Sequence, residues 1–248
     1  MEYQDCLEVF WQKLCGLSKD NCGSKVLELY DTKGFLTVNF AYFAVLVKWN
    51  IIDGACNEFW KYFLSADLIL PDGIALRLRA KKKKWMSLEN MNWDDFLRWF
   101  FGLLDGLEKN YVVVGYWGKN DELLIEKTKQ EFTKVSKKWF DKFFHGYGEL
   151  PWEQLNYLKS YKWLKILLQS RGGPQEEWTV KNLDKLRDFG FLVFNVWGLF
   201  DHRSGVEPRA PKVLQKFKLE WLRRLILNPQ KNWVKVKDSF RVFKEILR

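Results

Sequence analysis

Along the first two hundred positions the apolar residues fall into short unbroken runs, and between the runs they recur at helical spacing. Gly34–Phe40, Leu68–Leu70, Tyr111–Gly115, Trp163–Leu168 and Phe191–Val196 read as strands. Runs this continuous belong to strands covered on both faces. Residues 1–30 read as helix-rich. Ala41–Val47, 57–65, Asp94–Leu107, Asp121–Val135 and a stretch opening at about Glu176 also read as helical. The alternation predicts an α/β fold: a Rossmann-like, mostly parallel sheet flanked by helices.

Polar and glycine-bearing loops follow the runs. Pro71 closes the Leu68–Leu70 ladder and Gly73 permits a sharp turn, so Asp72 is presented just past a strand's carboxyl end. Open α/β sheets place their ligands there, although an Asp in that position also serves as a turn or cap residue. Thr37/Asn39, Gly115/Gly118, Gly172–Glu176 and Gly198/Asp201 repeat the arrangement, and five such ends on one rim predict an active site. Phe143–Gly148 reads as a turn in which His145 is either a ligand or a core histidine.

After Asp201 the pattern changes, which divides the chain into an α/β domain (1–201) and a helical appendage (202–248). Lys212–Leu227 and Lys231–Leu247 each carry an apolar stripe that includes Trp221, Trp233, Phe240 and Phe243, opposite a basic face. From His202 onward thirteen Lys and Arg meet four acids, so nearly all of the net charge of +10 lies in this appendage. Such helices either pack as a hairpin on the domain or lie against an anionic membrane, where each cation near the surface contributes about 1 kcal/mol. A nucleic-acid interface is the third reading of the basic tail, but the spacing assigns its aromatics to buried faces rather than stacking platforms. Lys81–Lys84 reads as a solvated loop or helix end.

No run of about 18 apolar residues spans a bilayer, and the first residues lack a basic segment that would mark a secretory signal. Cys6, Cys15, Cys22 and Cys56 have no metal-binding spacing and are expected as free thiols in a cytosolic protein.

Several short pieces then form an ordered series: Thr37-Val38-Asn39, Ala66-Asp67, Leu70-Pro71-Asp72-Gly73, Asp95, His145-Gly146-Tyr147, and Gln175-Glu176 with Trp178. Phe200-Asp201 with Gly205, Arg209-Ala210-Pro211, Leu219-Glu220-Trp221-Leu222 with Arg224-Leu225, and Pro229 complete it. In this order, from about Phe35 to Trp233, the chain resembles the WecG/TagA/CpsF glycosyltransferases (glycosyltransferase family 26). The resemblance implies sugar transfer from a UDP-linked donor to a polyprenyl-pyrophosphate-linked saccharide in cell-surface polysaccharide or teichoic acid linkage-unit synthesis. It further implies inversion at the anomeric carbon, no cofactor, no obligatory metal, and a peripheral location at the cytoplasmic face of a bacterial membrane.

By the same resemblance Asp72 is the base, Thr37 and Asn39 position the reacting sugar, and Gln175 lies close to the donor. Gly73, Gly115, Gly118, the His145-Gly146-Tyr147 loop, Glu176 and Asp201 are expected against the donor. Arg209, Arg224 and Lys231 are expected at the acceptor pyrophosphate or as a lid. A homo-oligomer away from the membrane is the protein partner considered.

The chain also departs from the family pattern. Asn90 replaces an Arg found in many members, and Pro174 is displaced by one position in Arg171-Gly172-Gly173-Pro174-Gln175-Glu176. Trp93, Trp117 and Trp197 stand where the family has Gly. An indole at a phosphate-approaching turn would obstruct the backbone approach that Gly allows. Two readings follow: an altered donor pocket, up to an inactive relative that binds at the membrane surface, or a gene in which UGA encodes Gly. UGG codons at all three positions would exclude the second.

Overall fold

The computed structural model describes residues 3–42, 58–84, 87–119, 121–136, 138, 140–172 and 175–206, together with Ile226 and Trp233. Two helices, α1 (Tyr3–Lys13) and α2 (Lys19–Lys33), precede the first strand, β1 (Leu36–Tyr42). Ser18 caps α2 by accepting from the Asn21 amide, and Gly34 ends it in the left-handed region at φ 67°. Then come α3 (Glu58–Leu64), β2 (Leu68–Asp72), α4 (Ile74–Lys84), α5 (Trp93–Gly106), β3 (Tyr111–Trp117) and α6 (Glu122–Phe132). The described order closes with β4 (Phe140–His145), a 3₁₀ helix (Trp152–Ser160), β5 (Leu164–Ser170), α7 (Gln175–Lys181), α8 (Leu183–Phe189), β6 (Phe191–Asn195) and α9 (Leu199–Ser204).

The six strands form one sheet in the order β2-β1-β6-β5-β3-β4, and every neighbouring pair is parallel. All six carboxyl ends therefore share one rim. Alternate residues of each strand face opposite layers. Leu36, Val38, Phe40, Val113, Ile166, Leu168, Leu192 and Phe194 pack with the apolar stripe of α5 (Phe96, Leu97, Phe100, Leu104). Val112, Val114, Leu167, Phe191 and Val193 pack with Leu155, Leu158, Trp178, Leu186 and Phe189 on the other side.

One row on the α7 side is polar. Asn39, Asn195 and Gln169 occupy consecutive positions across β1, β6 and β5 and are almost completely buried. Asn195 Nδ2 donates to Asn39 Oδ1 (2.7 Å), and Asn39 Nδ2 donates to the Phe63 carbonyl (2.8 Å). Gln169 Nε2 donates to the Gln175 carbonyl (3.0 Å), while the Thr179 hydroxyl lies within 3.0 Å of both Asn195 Oδ1 and Gln169 Oε1. The row fixes the register of the central strands and ties α7 to them.

Several local expectations are corrected. β4 is a strand rather than a turn. Pro71 does not end the ladder, because β2 is an edge strand and the missing N–H lies on its outer side, where the Ile69 and Pro71 carbonyls accept from Cys15 and Met91. Ala41 and Tyr42 belong to β1, and residues 43–47 of the expected helix lie outside the described residues. Cys15 and Cys22 are joined as a disulfide rather than free, since the α1–α2 turn brings their Cα atoms to 6.6 Å. Cys56 lies outside the described residues. The 201/202 boundary falls within α9, and the appendage beyond Val206 is described only at Ile226 and Trp233. Both are helical and exposed, so Trp233 does not occupy the buried face its spacing suggested. Among the described residues no helix is long and apolar enough to cross a membrane.

Replacing Asn195 with Leu would strand the Asn39 Oδ1 acceptor at nearly constant volume, while the Thr179 hydroxyl keeps Gln169 Oε1 and the Gln175 carbonyl. A buried acceptor left without its partner costs about 1–3 kcal/mol, and denaturant unfolding should show a loss of that size. A loss below about 0.5 kcal/mol, within the range of ordinary surface substitutions, would show that the row is not a structural tie.

Candidate active site

The carboxyl-end rim carries two chemically different regions. Asp72 ends β2 and is buried on the α5 side. Its two carboxylate oxygens accept from Asn92 Nδ2 at 3.2 and 3.4 Å, and the Asn92 side-chain oxygen caps α5 by accepting from the Asp94 amide. Gly73 follows at φ 88°, and its N–H donates to Asn90 Oδ1 (2.6 Å), so Asn90 braces the turn that carries Asp72. Beside it Asp94 forms a buried ion pair with Arg203 of α9, and Arg98 approaches from the next turn at 3.4 Å. These bonds hold the start of α5 and α9 together behind β2.

The second region lies on the other layer, where β5 runs into α7. Gln175 and Glu176 are both fully buried. Gln175 Nε2 donates to Glu176 Oε1 (3.1 Å), as does the Trp197 indole N–H. Both donors converge on Oε1, while Gln175 Oε1 and Glu176 Oε2 are buried without a hydrogen-bond partner. Burial pushes the Glu176 carboxyl up to about 8, against bonds that act in the opposite sense. A carboxyl kept neutral in this way can donate to a ligand oxygen from Oε2. Further along the rim, Gly118 follows β3 and is crossed by the Tyr147 ring, which a Cβ would approach to 2.7 Å. Gly146 turns the chain at φ 95°, its N–H bonded to the Trp117 carbonyl (2.8 Å). Asp201 at the start of α9 pairs with Lys119 (2.9 Å).

Other predicted residues are placed elsewhere. Thr37 opens β1 instead of ending it, so it sits at the opposite rim, about 16 Å along the strand from the level of Asp72. There its amide and hydroxyl both donate to Asp67 Oδ2 (2.9 Å each), and Lys33 pairs with Oδ1 (2.5 Å). Burial raises the Asp67 carboxyl, but these bonds outweigh it and hold the group below its ordinary value. A cavity of about 330 Å³ opens at this rim between Lys33, Phe35, Thr37, Ser65, Asp67, Leu183 and Arg187. Asn39 lies mid-strand with its amide committed to the polar row. Gly115 also lies mid-strand, where a Cβ would come within 2.4 Å of Phe143, so it serves packing rather than a phosphate turn. His145 ends β4, the strand farthest from β2, about five strand spacings or ~24 Å from Asp72. Gln175 follows β5, three spacings or ~14 Å away.

Arg209, Arg224 and Lys231 lie outside the described residues. Among the described residues no three His, Cys, Asp or Glu side chains gather into a metal-binding group.

The sequence model of the glycosyl transferase WecG/TagA/CpsF family matches residues 14–248. The chain belongs to that family. A curated relative from Bacillus spizizenii, N-acetylglucosaminyldiphosphoundecaprenol N-acetyl-beta-D-mannosaminyltransferase, is 26% identical over 178 residues. The match covers 66% of this chain and 62% of the relative, so the chain spans less than two thirds of that protein's length.

Trp93, Trp117 and Trp197 all have packed seats. Trp93 stacks on His202 (5.3 Å between ring centres), and buried Trp117 meets the Phe200 edge (6.2 Å). Trp197 meets Phe59 edge-on (6.3 Å) while its N–H engages Glu176. Of the three, only Trp197 lies in a loop beside the Gln175–Glu176 pair. Sequence reasoning missed Asn92 and the Asp94–Arg203 pair. The Asn-Trp-Asp start of α5 was their one visible signal, as a capping pattern.

The Glu176 carboxyl keeps its proton to about pH 8 in the fold, whereas an unfolded Glu releases it near 4.5. The unfolded state binds fewer protons between those values, so this group lowers stability as pH rises through the window, by up to about 1.4 kcal/mol per pH unit. Melting curves of wild type and Glu176→Gln from pH 4.5 to 8 should diverge, the variant gaining relative stability as pH rises. Parallel curves would contradict the buried neutral carboxyl.

Proposed function

We propose that this chain transfers a sugar of the N-acetylmannosamine type, or its uronic acid, from a UDP-linked donor to a polyprenyl-diphosphate-linked saccharide. Membership of the WecG/TagA/CpsF family over residues 14–248 carries this reading. The relative named as an N-acetyl-beta-D-mannosaminyltransferase, acting on N-acetylglucosaminyldiphosphoundecaprenol, supports the choice of sugar and acceptor class. The rim supports it chemically, with the Asp72 carboxylate at one end and the open polar atoms of Gln175 and Glu176 at the other.

In this mechanism the acceptor hydroxyl loses its proton to Asp72 as its oxygen attacks the anomeric carbon and the bond to UDP breaks, with inversion. Asn92 orients the Asp72 carboxylate through its Nδ2 bonds. The donor lies across the rim from Asp72 toward the Gln175–Glu176 pair, where neutral Glu176 donates to a donor oxygen. The ~14 Å between the two regions suits an extended nucleotide-diphosphate sugar better than a compact ligand. No obligatory metal is invoked. The basic appendage, including Arg209, Arg224 and Lys231, approaches the acceptor diphosphate at the cytoplasmic face of the membrane.

A second reading, an inactive relative that binds at a membrane surface, is favoured by the Trp197 indole set against Glu176. Calorimetry with a panel of UDP-sugars separates the two, since an inactive relative of this kind binds none.

Asp72→Asn keeps the shape and the Asn92 contact but removes the base. With UDP-sugar and a short-chain lipid-diphosphate acceptor, turnover should fall by about 10²–10⁴-fold at unchanged melting temperature. Turnover within a few-fold of wild type would remove Asp72 from the reaction.

A further inference from the structure

Arg171 is the residue between β5 and Gly172, and no role in the mechanism above falls to it. Its side chain is 4% exposed. Three aromatic rings surround the guanidinium carbon: Tyr116 at 4.5 Å, Trp178 at 5.5 Å and Tyr147 at 5.6 Å. Nε and Nη1 are buried with no hydrogen-bond partner. Among the described residues no carboxylate pairs with it. Glu149 acts on it only at a distance, and the ion pair of Glu149 is with Lys185 (3.9 Å). Burial lowers the guanidinium from its ordinary value without approaching neutrality, since an arginine does not give up its proton inside a protein.

A buried, permanently charged fork with open donors is unusual, because buried charges are normally paired or coordinated. Ring faces stabilise the cation, but they accept none of its in-plane N–H bonds. The cage is therefore half of a site: it holds the cation in place and leaves its donors for a partner that the chain does not supply. A planar guanidinium is suited to oxyanions, both phosphate and carboxylate. Location narrows the source. Arg171 stands on the carboxyl-end rim, on the same layer as Gln175 and Glu176 and four positions before Gln175. The outer wall of the cage is Tyr147, 65% exposed and carried between Gly146 and Gly148, so it lies between Arg171 and solvent.

We propose that Arg171, caged by Tyr116, Tyr147 and Trp178, is an oxyanion-binding residue that takes an anionic group of the sugar donor. This rests on the donor lying at the Gln175–Glu176 end of the rim. Two groups of such a donor share the chemistry, the diphosphate and the carboxylate of a uronic acid sugar.

The test titrates wild type and Arg171→Met with inorganic pyrophosphate, UDP, uridine, UDP-glucose and UDP-glucuronate, reading melting temperature and calorimetric affinity. Methionine fills the cage without charge, so the variant should melt no lower than wild type when no anion is present. Pyrophosphate should raise the melting temperature of wild type only. If the diphosphate is the source, the variant loses at least tenfold in UDP affinity and its uridine response equals that of wild type. If the carboxylate is the source, UDP and UDP-glucose bind equally to both proteins and only UDP-glucuronate weakens tenfold. UDP, pyrophosphate and UDP-glucuronate all binding the variant within twofold of wild type would overturn the proposal and leave Arg171 a packing residue.

Should Arg171→Met fail to fold, the Nε–H resonance of Arg171 in the wild-type protein decides. A shift on adding pyrophosphate or UDP-glucuronate supports the site, and a resonance unmoved by both overturns it. Wild type that binds pyrophosphate through Arg171 but no UDP-sugar would keep the oxyanion site and refute the glycosyl-transfer reading.

Discussion

Three amides in a line, Asn39, Asn195 and Gln169, constrain how the central strands of the sheet can pair. Each is buried at the middle of a parallel sheet, where an unmet donor or acceptor costs nearly as much as the bond it lacks. The sheet is therefore held in one register: slipping any of the three strands by a residue would turn its amide toward the opposite, apolar layer. The same row reaches Thr179 and the Gln175 carbonyl, so it also sets where α7 begins. Glu176 and its neighbours stand on the rim because those bonds place them there.

The two ends of the sheet do different work. At the amino-end rim Thr37, Asp67 and Lys33 form a closed, satisfied network that joins β1 to the approach of β2. At the carboxyl-end rim the polar atoms are left open: Glu176 Oε2, Gln175 Oε1 and two Arg171 nitrogens are buried without partners. Buried polar groups are normally satisfied, so these open atoms make the carboxyl-end rim the candidate place for a ligand. Asp72 shares that rim from the other layer, held by Asn92, and the start of α5 is fixed by the Asp94–Arg203 pair. Asp72 and the Gln175–Glu176 pair therefore rest on separate supports, the start of α5 for one and the polar row for the other.

Much of the fold was legible because parallel strands covered on both faces appear as continuous apolar runs, and five of the six did so. β4 escaped because it is an edge strand with Asp141 and Lys142 exposed, which leaves no such run. The site was legible in part. The Asp72-Gly73 turn and the Gln175-Glu176 helix start lie where their turn residues suggest. Thr37 and Asn39 were misplaced by the extent of β1, whose last residues, Ala41 and Tyr42, resemble the start of a helix. Gly115 looked like a turn, yet its small size answers to the Phe143 ring on the neighbouring strand. Arg171 gave no signal at all, since its cage is assembled from β3, the loop after β4 and α7, which sequence order does not bring together.

Hydrogen–deuterium exchange with and without a UDP-sugar tests most directly whether the open polar rim is the ligand site. The account predicts slowed exchange in the backbone after β5 and through α7, around Trp197 and Gly198, and in the Gly73 turn. Protection confined to the amino-end rim, around Lys33–Thr37, Asp67 and Arg187, would contradict it.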